Sequence, residues 1–388
     1  MMADVYAGAE NIISSLGFNI AENIANILAV NTGIVLDKSG KYSPIPLPLS
    51  VIDHHRLDEL FAQNLSGEEK SVRYTMLEKM FIISIKDALR QSHIKISSSD
   101  TLIIIASTKG NIDLLQLELQ NKFGRERIYL HELGRMIAAY FNNPNTPLIV
   151  SNACISGVLG IVYGERLIKS GKYKHVIVTG GDLMSEFIVS GFQSFQSLSM
   201  NPCKPFDINR DGLNLGEGCG TLILSSDPAV LAEKNPVKIL GGAGSNDANH
   251  ISGPSRTGEG LYLAIEQALR SSDVHAAELD TISAHGTATD YNDEMESRAL
   301  SRAGLEKVPV NSYKGYFGHT LGAAGVIEAA ISLQSMKRNM LFRTAGYEEH
   351  GVSQNINVIS KTEEKEINTC LKTASGFGGS NAALVFQK

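Results

Sequence analysis

Cys154 stands in PLIVSNACISGVLG, where an apolar run gives way to the small and apolar residues of a buried helix. Two histidines stand at comparable junctions, His285 in SAHGTATD and His319 in NSYKGYFGHTLGAAG. A cysteine at a helix start meets unpaired backbone N–H groups and the positive end of the helix dipole, which favour the thiolate and lower its pKa from about 8.5. Such a thiolate can attack a carbonyl, and the same N–H groups can hold the oxyanion that results. Taken alone, Cys154 reads as packing, because free cysteine is among the most buried residue types, and a lone histidine is more often a satisfied polar residue than a catalyst. What alters the reading is shared position: all three follow predicted strands, and ligands of open α/β sheets bind at the carboxyl ends of strands. A zinc site built from the same three residues would lack any local ligand pair, so no metal is expected.

Other residue types gather near these. Lys314 precedes His319 by five positions, and HGTATDYNDEMES places Asp293 and Glu296 at i, i+3, on one face of a predicted helix. Buried near Lys314, the two carboxylates would hold its ammonium and orient a histidine; exposed, they are a solvated face. TASGFGGSNAALVF sets Phe377 between Gly376 and Gly378, as a buried plug or as a movable lid with glycine hinges.

The elements that must position these groups alternate. TLIIIAS, TPLIVSN, HVIVTGG and GTLILSS read as strands with helical patterns between several of them, which predicts βαβ units in a mostly parallel, helix-covered sheet. After a connector, DPAVLAEKNP, the pattern begins again with VKILGGAGSND and ends in NAALVFQK. Both halves close with a glycine-rich turn running into a strand, GEGCGTLILSS and GFGGSNAALVF, so residues 1–226 and 227–388 read as two related halves.

Composition bounds the function class. The chain has 388 residues, 43% hydrophobic and 20% charged, an ordinary globular profile with room for a sizeable core. A net charge of −6 argues against bulk nucleic-acid binding. Cys154, Cys203, Cys219 and Cys370 are scattered without a CxxC pair, so neither a zinc knuckle nor a disulfide framework is expected. No run is long and apolar enough for a membrane span and no secretion signal is read at the start, so the expectation is a cytoplasmic protein.

Taken together, NACISG, FQSFQSLS, PFDINRDGLNLGEGCG, SAHGTATD, SYKGYFGHTLGAAGVIEA and SGFGGSN, in that order, resemble the β-ketoacyl-acyl-carrier-protein synthases, the elongating condensing enzymes of the thiolase superfamily. The resemblance implies a thiolase fold, α/β with αβαβα layers built from two related halves, normally as a homodimer. It makes Cys154 the nucleophile that takes an acyl group from a pantetheine thioester, and His285 and His319 the pair that promotes decarboxylation of malonyl carrier protein. Lys314, Asp293, Glu296 and Glu328 match supporting polar residues. Thr287 and Thr289 match threonines that bind the pantetheine arm, and Phe377, flanked by Gly376 and Gly378, matches the gating phenylalanine. The N–H groups of Cys154 and Phe377 would form the oxyanion hole. No cofactor is implied beyond the phosphopantetheine of the acyl carrier protein, which is the implied partner, docked on a basic patch for which Lys204, Lys70 and Arg73 are candidates.

Departures from the family pattern are local. The segment between about 108 and 146 reads as trimmed, which leaves chain-length preference open. Ile155 follows the nucleophile where many relatives carry a smaller residue, so a narrower pocket entrance is expected. Cys219 replaces a small alanine, read as packing, and Asp182 stands where glutamate is common. Two rival readings remain. A thiolase would place a second reactive cysteine in the final glycine-rich loop, and Cys370 lies outside SGFGGSN. A non-catalytic chain-length-factor-like subunit, paired with a true synthase in a heterodimer, would commonly lose the nucleophile, which here is retained. Within the principal reading, the product belongs either to housekeeping fatty-acid elongation or to a polyene or polyketide-like pathway.

Overall fold

The computed structural model describes residues 3–64, 72–250 and 253–388. Ten strands form one sheet: β1 (Tyr6–Ser14), β2 (Thr101–Ala106), β3 (Leu148–Val150), β4 (His175–Asp182), β5 (Gly218–Ser225), β6 (Val237–Asn246), β7 (Thr281–Ser283), β8 (Val310–Asn311), β9 (Thr369–Gly376) and β10 (Ser380–Gln387). Their order across the sheet is β8-β7-β9-β10-β6-β1-β5-β4-β2-β3. The first half reads 1-5-4-2-3 outwards from the centre and the second 6-10-9-7-8, the same topology. The pairing directions also repeat, and they make the sheet mixed rather than mostly parallel as expected, because the inner strands of each half pair antiparallel. β1–β5 and β5–β4 are antiparallel with β4–β2 and β2–β3 parallel, matched by β6–β10, β10–β9, β9–β7 and β7–β8. Among the described residues a short antiparallel contact, Tyr6 with Lys238 and Ala7 with Val237, joins the halves along the sheet.

Helices repeat in the same way. α1 (Met76–Leu89) lies between β1 and β2, and α2 (Ser156–Lys169) follows β3. After α3 (Glu186–Ser194), α4 (Glu259–Ser272) lies between β6 and β7, α5 (Asp290–Arg302) follows β7, and α6 (Ala324–Arg338) follows β8. α2 touches β2 and β4 of one half and β6 and β10 of the other, while α6 touches β1, β4 and β5 as well as β7 and β9. These two helices are therefore the filling between two half-sheets. α1 covers the outer face of the first and α4 that of the second, which completes five layers, αβαβα.

The strands are apolar on both faces because both faces are covered. Ile104, Val178 and Leu384 point into the central layer beside Val158, Val162 and Val326. Their chain neighbours Ile103 and Ile177 face Phe81 on α1, and Val385 faces Leu261 and Ile265 on α4. This is the two-residue period of a strand serving two cores at once.

The repeat decides where the chemistry sits. Cys154 follows the third strand of the first half and precedes α2; His319 follows the corresponding strand of the second half and precedes α6.

Candidate active site

Between β3 and α2 the chain makes a tight turn in which Ala153 takes a left-handed conformation, φ 43°. Ser156 Oγ donates to Ala153 O (2.6 Å) and accepts from Asn152 N (2.8 Å), while Ser380 Oγ on β10 donates to Asn152 Oδ1 (2.8 Å). The turn presents Cys154, 7% exposed, immediately before α2. The end of β9 lies flush against it: a Cβ on Gly376 would fall 3.0 Å from Cys154 N and 3.2 Å from Ala153 Cβ. The Phe377 N–H is directed so as to favour the Cys154 thiolate. The helix start does not lower the thiol pKa as expected. Burial pushes it up to about 11, against the opposing charges of Lys314 and Lys109 and the Phe377 N–H. The reason is enclosure, since a desolvated thiolate costs more than these groups return.

His285 and His319 face this thiol. Their rings meet edge to face, centroids 5.2 Å apart at 84°, and the thiol sulfur and a ring nitrogen of each lie within 4.8 Å of one another. His319 Nδ1 accepts the Leu321 N–H (3.3 Å), and Lys314 Nζ donates to His285 Nδ1 (3.3 Å). These bonds assign the proton of each neutral ring to Nε2. Burial first, then the Lys314 and Lys372 ammoniums, hold both imidazoles well below the usual histidine range, so both are neutral donors at pH 7.

Behind the histidines lies a buried ion network. Lys314 Nζ donates to Glu328 Oε1 (2.6 Å) and His285 O (2.5 Å), and both charged side chains are 1% exposed. Lys372, a residue without a role in the sequence reading, places its ammonium 2.7 Å from Glu328 Oε2.

Asp293 and Glu296 are buried, as the first alternative required, but their carboxylates hold backbone rather than the Lys314 ammonium. Glu296 accepts from His285 N and Gly286 N, both 2.7 Å, and from Thr373 Oγ1 (2.8 Å). Asp293 accepts from Thr287 N (2.8 Å), Ala288 N (3.1 Å) and Phe206 N (2.8 Å). The i, i+3 spacing thus clamps the whole turn that carries His285. Burial nevertheless raises Asp293 to about 6.

A cavity of about 1000 Å³ opens onto Cys154, His285 and His319. Thr287 and Thr289 line it with their hydroxyls 2.9 Å apart. Phe377 roofs it, stacked on Phe192 (5.5 Å) and edge-on to Phe195 (5.1 Å). Gly378, exposed beyond the ring, has φ 81°, a conformation glycine adopts freely. Arg256 at the rim was missed in the sequence because it belongs to no strand or helix pattern.

Of the docking candidates, Lys204 is half-buried, Arg73 is exposed, neither lines the cavity, and Lys70 lies outside the described residues. Ile155 is not at the pocket entrance: it is 1% exposed and packs in the central core with Val158 and Val178, because it points away from the cavity as α2 begins. Cys219 is buried against Thr179, as packing requires. Asp182, to which the sequence lent no role, accepts from Ser107 Oγ (2.7 Å), Thr108 N (3.0 Å) and Gly322 N (2.8 Å). It thereby ties the end of β2 to the turn after His319.

The fold and this constellation define a class, and comparison with known proteins agrees with it. Residues 54–229 match the model of the β-ketoacyl synthase N-terminal domain and residues 237–348 that of the C-terminal domain. A mitochondrial protein of Schizosaccharomyces pombe, provisionally assigned as a 3-oxoacyl-acyl-carrier-protein synthase, is 29% identical over 97% of both chains. The 3-oxoacyl-acyl-carrier-protein synthase 2 of Rhizobium meliloti is 35% identical over 62% of this chain and 60% of its own. Among solved structures, a ketosynthase in complex with its chain length factor from Xenorhabdus doucetiae superposes with a TM-score of 0.86 at 25% identity, covering 99% of this chain and 98% of that one. The chain belongs to the β-ketoacyl synthase family, the acyl-transferring condensing enzymes of fatty-acid and polyketide biosynthesis.

Proposed function

We propose that this chain catalyses decarboxylative condensation of a Cys154-bound acyl group with malonyl carrier protein. The observation that carries the reading is the convergence of one thiol and two Nε2–H donors at the foot of one cavity. In the first step the Cys154 sulfur attacks the acyl thioester carbonyl, whose oxygen is held by the N–H groups of Cys154 and Phe377. The carbon–sulfur bond to pantetheine breaks, and the pantetheine thiol leaves with the proton that Cys154 gave up. Thiol exchanges for thiol, so the step needs no net acid or base, which suits a cysteine that rests protonated.

In the second step the malonyl C–C bond to its carboxylate breaks, CO2 departs, and the electron pair becomes an enolate whose oxygen accepts from His285 and His319. The enolate carbon attacks the Cys154 thioester carbonyl. The 3-oxoacyl product leaves on the carrier protein, and the expelled thiolate regains a proton from solvent. Lys314 and Glu328 fix the His285 tautomer, Asp293 and Glu296 hold its turn, Thr287 and Thr289 bind the pantetheine arm, and Phe377, with Gly376 and Gly378, gates access to the thiol.

We read the reaction as free of metal and cofactor. A divalent ion among Cys154, His285 and His319 would sit close to the Lys314 ammonium, which already occupies His285 Nδ1. The acyl carrier protein is the proposed partner. A dimer, with itself or with a related subunit, is supported by the Xenorhabdus doucetiae relative, which is described in complex with a chain length factor. Among the described residues no helix is long and apolar enough to cross a membrane, and a cytoplasmic location is the reading we propose.

The test is incubation with acyl carrier proteins bearing chains of different length plus malonyl carrier protein, with products identified by intact mass. No acyl adduct on the wild type, or an undiminished adduct on Cys154→Ala, sinks the mechanism. The chain-length-factor reading predicts that first result and gains support only from it.

A further inference from the structure

Lys372 lies on β9 in TCLKTASG, between Leu371, which faces the outer core, and Thr373. The period of the strand turns Cys370, Lys372 and Ala374 to the central layer, where Glu328 projects from α6. Its side chain is 0% exposed, and burying an ammonium is expensive unless every donor is met. Here they are met: Nζ donates to Thr373 O (2.7 Å), Ser283 O (3.2 Å) and Ala284 O (3.2 Å), and it stands 2.7 Å from Glu328 Oε2.

Two of these contacts lead to the histidine pair. Ser283 and Ala284 are the residues directly before His285, at the carboxyl end of β7. Glu328 is the carboxylate on which Lys314 rests, and Lys314 in turn donates to His285 Nδ1. One ammonium thus fixes both the backbone that carries His285 and the ion pair that sets its tautomer.

We propose that Lys372 is a positioning residue for the decarboxylation half of the reaction. It holds Glu328 in the rotamer that points Lys314 at His285, and it holds the end of β7 so that His285 Nε2 faces the enolate oxygen. Acylation of Cys154 uses the backbone N–H groups of Cys154 and of Phe377, five residues beyond Lys372, and has no use for the His285 Nε2–H that this network orients. The proposal rests on the condensing activity argued above.

The experiment compares wild type with Lys372→Met, which keeps length and removes donors and charge, and with Lys372→Gln, which keeps donors without charge. Acyl transfer to Cys154 is followed by intact mass, and CO2 release is followed from malonyl carrier protein. For Lys372→Met, kcat for CO2 release falls about 10–100-fold with KM for malonyl carrier protein unchanged, since misplacement of a reacting group costs that much. Cys154 acylation stays within about twofold of wild type, and Lys372→Gln falls between the two. Equal CO2 release by both variants and wild type overturns the proposal, and so does an equal loss of acylation and decarboxylation, the mark of a merely structural role. If Lys372→Met yields no soluble protein, Lys372→Gln is read against the same two criteria. A wild type that neither takes an acyl group nor releases CO2 overturns the functional reading itself, whereas an active wild type with indifferent variants overturns only the role of Lys372.

Discussion

Gly157 on α2 and Gly325 on α6 meet backbone to backbone. A Cβ on Gly157 would fall 2.7 Å from Val326 N and 3.0 Å from Gly325 Cα, and one on Gly325 would strike Val158 N. This crossing brings the starts of the two central helices together, and with them Cys154 and His319, one from each half of the sheet. The distance between nucleophile and histidine is therefore set by two missing side chains.

Gly325→Ala should lower stability by about 1–3 kcal/mol, because the added methyl meets backbone that cannot turn aside. Urea unfolding measures the loss. Acylation and decarboxylation should fall together, since the helices carry both groups. A variant as stable and active as wild type would show that the crossing tolerates a methyl.

Cys154→Ala and His319→Ala should separate the two half-reactions. Without the thiol no adduct forms, yet CO2 release persists, because the Nε2–H donors and the network of Lys314 and Glu328 do not involve sulfur. Without His319 the adduct still forms and CO2 release falls about 10²–10³-fold, the usual cost of one oxyanion donor. Intact mass and trapped CO2 read the two outcomes. Normal decarboxylation after replacing both His285 and His319 would remove their role.

The thiol shift predicts a pH profile. Alkylation of Cys154 by iodoacetamide should climb through pH 9 towards about 11, and Lys314→Met should delay the rise further, since the lost ammonium favours the thiolate. A plateau below pH 8 would contradict the burial argument. The folded pKa lies above the unfolded 9.0, so this thiol contributes stability that is complete below pH 9 and lost as pH rises to about 11. The contribution is about 2–3 kcal/mol.

Phe195→Ala should loosen the roof. The Phe195 ring is edge-on to Phe377, a pairing that contributes about 0.5–1.5 kcal/mol beyond area burial. Reaction of Cys154 with a bulky maleimide should quicken, up to about tenfold. The secondary-structure content by circular dichroism should not change. An unchanged rate would mean that Phe377 does not control access.

Much of this site was legible because its members sit at the ends of strands that the sequence marks by itself. Cys154, His285 and His319 each follow a predicted strand, Phe377 stands in a glycine-rich turn that feeds the last strand, and the renewed strand pattern with its closing glycine-rich turns foretold two similar halves. The i, i+3 pair Asp293 and Glu296 was legible as one helix face, although not as a clamp on backbone N–H groups, because their partners belong to a turn whose path no local pattern determines. Lys372 was invisible for the same reason: a lysine in an apolar strand shows its meaning only when Glu328, from another layer, arrives opposite. The sequence alone determined which groups could react and the elements that carry them. Only the tertiary structure decided the charge states, because the enclosure that raises the Cys154 thiol and keeps both histidines neutral is made by five layers closing on one point.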